Sequence, residues 1–146
     1  MTMRGAEPAV PEDRWGTKLG LEILEWEAER VRARIEIDER HHQPYGIAHG
    51  GVYCSIVEGV ASYGAGRIAL ARGQRGVVGI SNTTDFLRSH SRGELLAEGR
   101  PLHTGRRKQL WEVRVTRASD GALVAHGQVR FQTLDELPGE RTARRG

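Results

Sequence analysis

Cysteine, aromatic residues and long apolar runs are all scarce in this chain, and each scarcity narrows what it can be. A single cysteine, Cys54, rules out a disulfide framework within the chain, so a reducing compartment is expected. No segment approaches the roughly 20 apolar residues of a membrane-spanning helix, and the opening MTMRGAEPAVPEDRWG lacks the apolar stretch of a secretory signal. A cytoplasmic protein with no membrane partner is the expectation. Charge of one sign is lacking too: 22 Lys and Arg against 19 Asp and Glu leave a formal charge of +3. That balance permits an anionic ligand without demanding nucleic acid, and no nucleic-acid-binding motif is present. Aromatic residues make up 5% of the chain, too few to outline a pocket from sequence.

What is present fits one domain. With 146 residues, 38% of them hydrophobic, the chain supports one modest core, of the kind that association with a second copy often completes. Residues 1–15 carry Gly5, Pro8 and Pro11 among charges and read as a flexible N-terminal arm. Residues 16–134 read as the domain, and 135–146, DELPGERTARRG, as a flexible tail.

Within the domain the hydrophobic period changes once. Val31, Ala33, Ile35 and Ile37 alternate with Arg32, Arg34, Glu36 and Asp38, the two-residue period of a half-buried strand. Leu19–Trp26 also reads as extended, with Glu27–Arg30 turning it into a hairpin. Val77–Leu87 is rich in Val, Ile and Thr. Glu94–His103 is a weaker strand in which Pro101 suggests an edge or a bulge. Trp111, Val113 and Val115 alternate with Glu112, Arg114 and Thr116. After the turn signal Asp120-Gly121, Leu123, Ala125, Gly127, Val129 and Phe131 alternate with Val124, His126, Gln128 and Arg130. Gly50–Leu70 has no such alternation. Val52, Ile56, Gly59–Val60 and Tyr63 recur at helical spacing, and its several glycines, each costing about 1 kcal/mol against Ala, suit a helix round which a sheet wraps tightly. Two strands, one long helix and four strands make an α+β fold, an antiparallel sheet with a helix on one face.

Chemistry concentrates at this helix. His49-Gly50-Gly51 opens it, and the first amides of a helix lack internal partners and carry the positive end of its dipole. They form a site for an anion or for a carbonyl oxygen becoming one. Glu58 sits in the small, apolar stretch CSIVEGVA, where a carboxylate needs a specific donor or shifts its pKa. Ser62, four residues on, shares its face.

The pattern Gln43–Pro44–Tyr45–Gly46, His49–Gly50–Gly51 and Glu58 resembles the hotdog-fold thioesterases of the phenylacetate-pathway type, which include the 4-hydroxybenzoyl-CoA thioesterase subgroup. The element order matches from roughly Leu19 to Leu134. The resemblance implies a sheet of five to six strands around a central helix, and hydrolysis of an acyl-CoA, aryl or medium-chain. It implies that Glu58 attacks the thioester carbonyl or activates water, that the Gly50 amide polarises the carbonyl, and that Gln43 and Ser62 help hold substrate or water. His49, Gly51, Asn82 and Thr84 are expected near the substrate, and Gly105, Arg106 and Arg107 near the CoA phosphates. Coenzyme A is part of the substrate, and no other cofactor is expected.

Helix geometry adds a constraint. Gly50 and Glu58 are eight residues apart, about 12 Å along a helix axis, too far to meet one carbonyl from one chain. Two antiparallel helices related by a two-fold axis would pair them, so a homodimer with shared sites is expected, with a tetramer as a dimer of dimers among relatives. Other readings fare worse. His41, His42 and His49 do not make a zinc spacing, and no G-x-S-x-G elbow is present. Cys54 reads as a packed thiol. The alternatives that keep the fold are an acyl-CoA hydratase or dehydratase and a non-catalytic acyl-CoA binding protein.

Overall fold

The computed structural model describes residues 9–143. Residues 1–8 of the expected arm and 144–146 of the expected tail lie outside the described residues. Asp13 caps a short helix, α1 (Arg14–Leu19), its carboxylate accepting from the Trp15 amide at 3.2 Å. Gly20, at φ 85°, ends that helix in the left-handed conformation that glycine adopts without strain. The extended reading of Leu19–Trp26 is therefore corrected: the strand, β1, is Glu22–Trp26, and Leu19 belongs to the helix. The hairpin into β2 (Val31–Ile37) forms as expected, closed by the Glu27 amide donating to the Arg30 carbonyl at 3.0 Å. A single 3-10 turn at Glu39–His41 precedes the long helix α2 (Gly50–Ala71), and β3 (Gly76–Phe86), β4 (Gly93–Thr104), β5 (Lys108–Arg117) and β6 (Leu123–Leu134) follow. The segment read as a tail contains a short helix, α3 (Pro138–Ala143), tied back by an Arg75–Glu140 ion pair.

The six strands form one antiparallel sheet in the order β1-β2-β4-β5-β6-β3. In β2 the four alternating apolar residues are at most 1% exposed, and in β5 Gln109, Trp111, Val113 and Val115 are likewise buried. The strict alternation expected from Leu123 fails at one point. A bulge skips Val124, so that Val115 faces Ala125 and Thr116 faces Leu123, and Val124 turns inward with Ala125. Pro101 also sits beside a bulge, the register skipping Leu102, but β4 is a central strand rather than an edge. Pairing of β4 with β2 ends at Gly99, so on that side no ladder bond is asked of the proline nitrogen.

Helix α2 lies against the sheet's inner face and is buried on several sides, with Ile56, Val57, Val60, Ala61 and Ala65 inaccessible. Three glycines set this close approach. A side chain at Gly64 would overlap the Trp111 ring, and one at Gly99 or Gly127 would press on Val60 or Val57 from the sheet side. Trp111 is fixed in turn. Its indole N–H donates to Gln109 Oε1 at 2.9 Å, and Gln109 Nε2 donates to the helix carbonyl of Ala65 at 3.1 Å, so this buried polar pair is satisfied. Gly66 is different, because a Cβ there meets nothing within 4 Å. The packing account of the helix glycines thus holds for Gly64 and not for Gly66.

Opposite effects of two neighbouring substitutions follow. Gly66→Ala gains helix propensity of about 1 kcal/mol with no clash and should raise the urea midpoint. Gly64→Ala gains the same propensity but forces Trp111 aside, an overpacking cost of about 1–3 kcal/mol, and should lower the midpoint. Equal shifts in the two variants would contradict this packing.

Candidate active site

Glu58 lies near the middle of α2, half-buried, facing the edge strand β3. Its placement depends on a bulge. The register of β3 against β6 skips Ile80, pairing Gly79 with Phe131, Asn82 with Val129 and Thr84 with Gly127. Those three β6 residues are buried, so their partners face the helix as well. Strict alternation would send Gly79 and Asn82 to opposite faces; the bulge brings both to α2.

Each has a distinct relation to the carboxylate. Asn82 Nδ2 donates to Glu58 Oε2 at 3.1 Å and to the Cys54 carbonyl at 3.0 Å. Thr84 Oγ1 donates to Asn82 Oδ1 at 2.7 Å, and an amide flip would lose both donations from Asn82 Nδ2. Gly79 leaves room for the other oxygen, since a Cβ there would stand 2.5 Å from Glu58 Oε1. A carboxylate in a small, apolar helix needs a specific donor, and Asn82 supplies it. Of the strand residues expected near substrate, Asn82 reaches Glu58 directly and Thr84 bonds to Asn82.

The helix entrance is arranged by His49. As the capping residue it accepts from the Gly51 amide through Nδ1 at 2.8 Å. Of the two glycines, only Gly50 has an amide without a partner among the described residues. A side chain at Gly50 would overlap Phe86, whose ring covers this end of the helix and packs 5.7 Å from Tyr53. Gln43 sits in the preceding tight loop, its amide donating to the Ile47 carbonyl at 2.9 Å and its side-chain oxygen accepting from the Tyr45 amide. Gly50 and Glu58 occupy one uninterrupted helix, hence stand about 12 Å apart along its axis. Within one chain the structure does not bring Gln43 and Gly50 together with Glu58.

The basic loop Gly105–Arg107 lies at the opposite end of α2 from Gly50. Arg72, which caps the helix C-terminus, donates to the Thr104 carbonyl at 2.9 Å, and Gln74 donates to the Arg106 carbonyl at 2.7 Å. Both arginine side chains are exposed. The loop histidines have structural partners. His41 is buried, with Nδ1 accepting from the Asp38 amide and Nε2 2.7 Å from the Leu19 carbonyl, and His42 Nε2 lies 2.6 Å from the Ser91 carbonyl. Among the described residues no three His, Cys, Asp or Glu side chains group to hold a metal. No helix among them is long and apolar enough to cross a membrane.

Beside Glu58 opens a cleft of about 640 Å³, within the range of small-molecule sites. Glu58, Ser62 and Asn82 line it, so Ser62 does share the carboxylate's face. Cys54 also lines the cleft and is half-buried, which corrects its reading as a packed thiol. Pro11–Asp13, Trp15 and Trp26 form a wall outside α2, and Tyr63 of α2 itself joins them. Sequence reasoning missed this wall and missed Gly79, although a glycine inside a strand signals a bulge or a close approach.

Comparisons with known proteins identify the fold and the family. The thioesterase superfamily model matches residues 45–124, which include α2 and β3. The chain is 42% identical over 130 residues to a protein named "Putative esterase" from Mycobacterium tuberculosis (strain ATCC 25618 / H37Rv), covering 88% of this chain and 90% of the relative. A solved structure of that esterase superposes with a TM-score of 0.80 at 40% identity, covering 85% of this chain and 98% of the other. The chain is 36% identical over 105 residues to the proofreading thioesterase EntH of Klebsiella pneumoniae, covering 72% and 75% of the two chains. It is 39% identical over 101 residues to 1,4-dihydroxy-2-naphthoyl-CoA thioesterase 2 of Arabidopsis thaliana, covering 68% and 62%. The long helix against an antiparallel sheet is the hotdog fold, and the chain belongs to the thioesterase superfamily, as a thioester hydrolase.

Proposed function

We propose that the protein hydrolyses an aryl- or medium-chain acyl-CoA at two equivalent sites of a homodimer. In each site Gly50 and Gln43 come from one chain and Glu58 and Ser62 from the other. The observation that carries this reading is the seat of Glu58: a half-buried carboxylate, oriented by Asn82 and given room by Gly79, at the side of a ligand-sized cleft. Binding an acyl chain gains nothing from such a group, whereas thioester cleavage needs one. The Gly50 amide stabilises negative charge on the carbonyl oxygen. Glu58 adds to the carbonyl carbon, or removes a proton from the water that does; the C–S bond then breaks and CoA leaves as the thiol. Ser62 and the Gln43 amide nitrogen hold that water or the substrate.

Two features support sharing between chains. One is the separation of about 12 Å along a single helix. The other is β3, an edge strand of 11 residues with Val78 and Ile80 exposed, Ile80 by 52%. Long apolar edges call for a covering partner, and a second copy pairing there brings two α2 helices side by side. Antiparallel pairing that sets Gly50 opposite the partner chain's Glu58 leaves the far end of the second helix about 20 Å beyond Gly50. The basic loop at that end would receive the CoA phosphates across an extended pantetheine arm.

Glu58→Ala should reduce thiol release from a panel of acyl-CoAs by roughly 10³-fold, with the urea midpoint and oligomeric state unchanged. Turnover at the parent rate would defeat the assignment. A change in substrate absorbance without thiol release would show a dehydratase instead. Gly79→Ala should lower kcat by roughly 10- to 100-fold by displacing the carboxylate. Parent-like kcat in that variant would show that the seat on β3 is dispensable.

A further inference from the structure

One wall of the cleft has no part in the chemistry described so far. Three of the chain's eight aromatic residues, Trp15, Trp26 and Tyr63, line this single cleft. The wall is pinned to the helix that carries Glu58. Trp15 Nε1 donates to Ser55 Oγ at 2.9 Å, and the Tyr63 hydroxyl donates to the Pro11 carbonyl at 2.7 Å. Ser55 gives its own hydrogen to the Gly51 carbonyl at 2.8 Å, which leaves its lone pairs to receive the indole.

The three rings are not equivalent. Trp26 and Tyr63 meet edge to face, 6.4 Å apart at 80°, and Trp26 also carries the Arg67 guanidinium 4.7 Å above its ring. Trp15 stands apart. Among the described residues no ring or cation packs on it, and it is 58% exposed although its N–H is satisfied. Its polar edge is anchored while more than half of its surface is exposed at the cleft, as in a preformed stacking surface.

Position then distinguishes between acyl groups. Ser55 lies three residues before Glu58, about 4.5 Å along the helix axis. A ring bonded directly to the carbonyl that Glu58 acts on lies within that distance. A saturated chain runs past it and has no flat face to offer. Resting on the thioesterase reading of this site, we infer that Trp15 is the residue that selects a planar aromatic acyl group, by stacking on a ring attached to the thioester carbonyl.

The test compares Trp15→Ala and Trp15→Phe with the parent on benzoyl-CoA, 2-naphthoyl-CoA and octanoyl-CoA. Trp15→Ala should lower kcat/KM for the two aromatic substrates by roughly tenfold, mainly through KM, and the octanoyl value by much less. Trp15→Phe should recover most of the loss. An equal fall for aromatic and straight-chain substrates would make Trp15 a merely structural wall, and no fall would remove it from the pocket; either result overturns the inference. Failure of the thioesterase reading would look different, because the parent would release no thiol from any acyl-CoA. Stacking is then read separately with 2-naphthoate, which is not hydrolysed. It should quench the parent's tryptophan fluorescence saturably, and Trp15→Phe should lose most of that quenching. No quenching in the parent, or undiminished quenching in the variant, overturns the inference whatever the activity.

Discussion

Helix α2 carries both ends of the proposed chemistry, and a rise of about 1.5 Å per residue keeps them about 12 Å apart. The proposed sharing of each site between two chains follows from that fixed spacing. Gly64, Gly99 and Gly127 let the helix lie at contact distance from the sheet, and Trp111 fills the space over Gly64. A rigid spacing between a polarising amide and a reactive carboxylate is a defect in a monomer. In the proposed antiparallel pair it would be the reason for two chains.

The edge strand β3 serves two ends at once. Its inner side seats Glu58 through Gly79 and Asn82, and the bulge at Ile80 is what puts both on that side. Its free edge is where a second copy would pair. Proposed assembly and observed site geometry therefore depend on the same eleven residues, and a disturbance of β3 would be felt in both. Phe86 at the end of that strand packs over the helix entrance, so the environment of Gly50 also depends on β3.

Much of this was legible in the sequence, for physical reasons. Strands with one buried face show a two-residue period, and β2 and β5 do so cleanly because each keeps its phase to the end. Helix α2 was visible as the place where that period stops. Glu58 stood out because a charge among small apolar residues has few explanations. Bulges were harder, since one skipped residue reverses every later side chain; hence the misreading of the start of β6. Least legible was the cleft's aromatic wall. Trp15 reaches Ser55 across 40 residues and Tyr63 reaches Pro11 across 52, and no local pattern encodes such contacts. Residues 11–15 carry no local pattern because their contacts lie on the distant helix α2.

The proposed mechanism requires that one site be made by two chains. The most direct measurement is the activity of a purified heterodimer with Glu58→Ala in one chain and Gln43→Ala in the other. Shared sites predict one wholly intact site per dimer, hence about half the parent rate per dimer, where each variant alone is impaired at both sites. A heterodimer of proven composition that shows only the average of the two impaired homodimers would place each site within one chain and contradict the account.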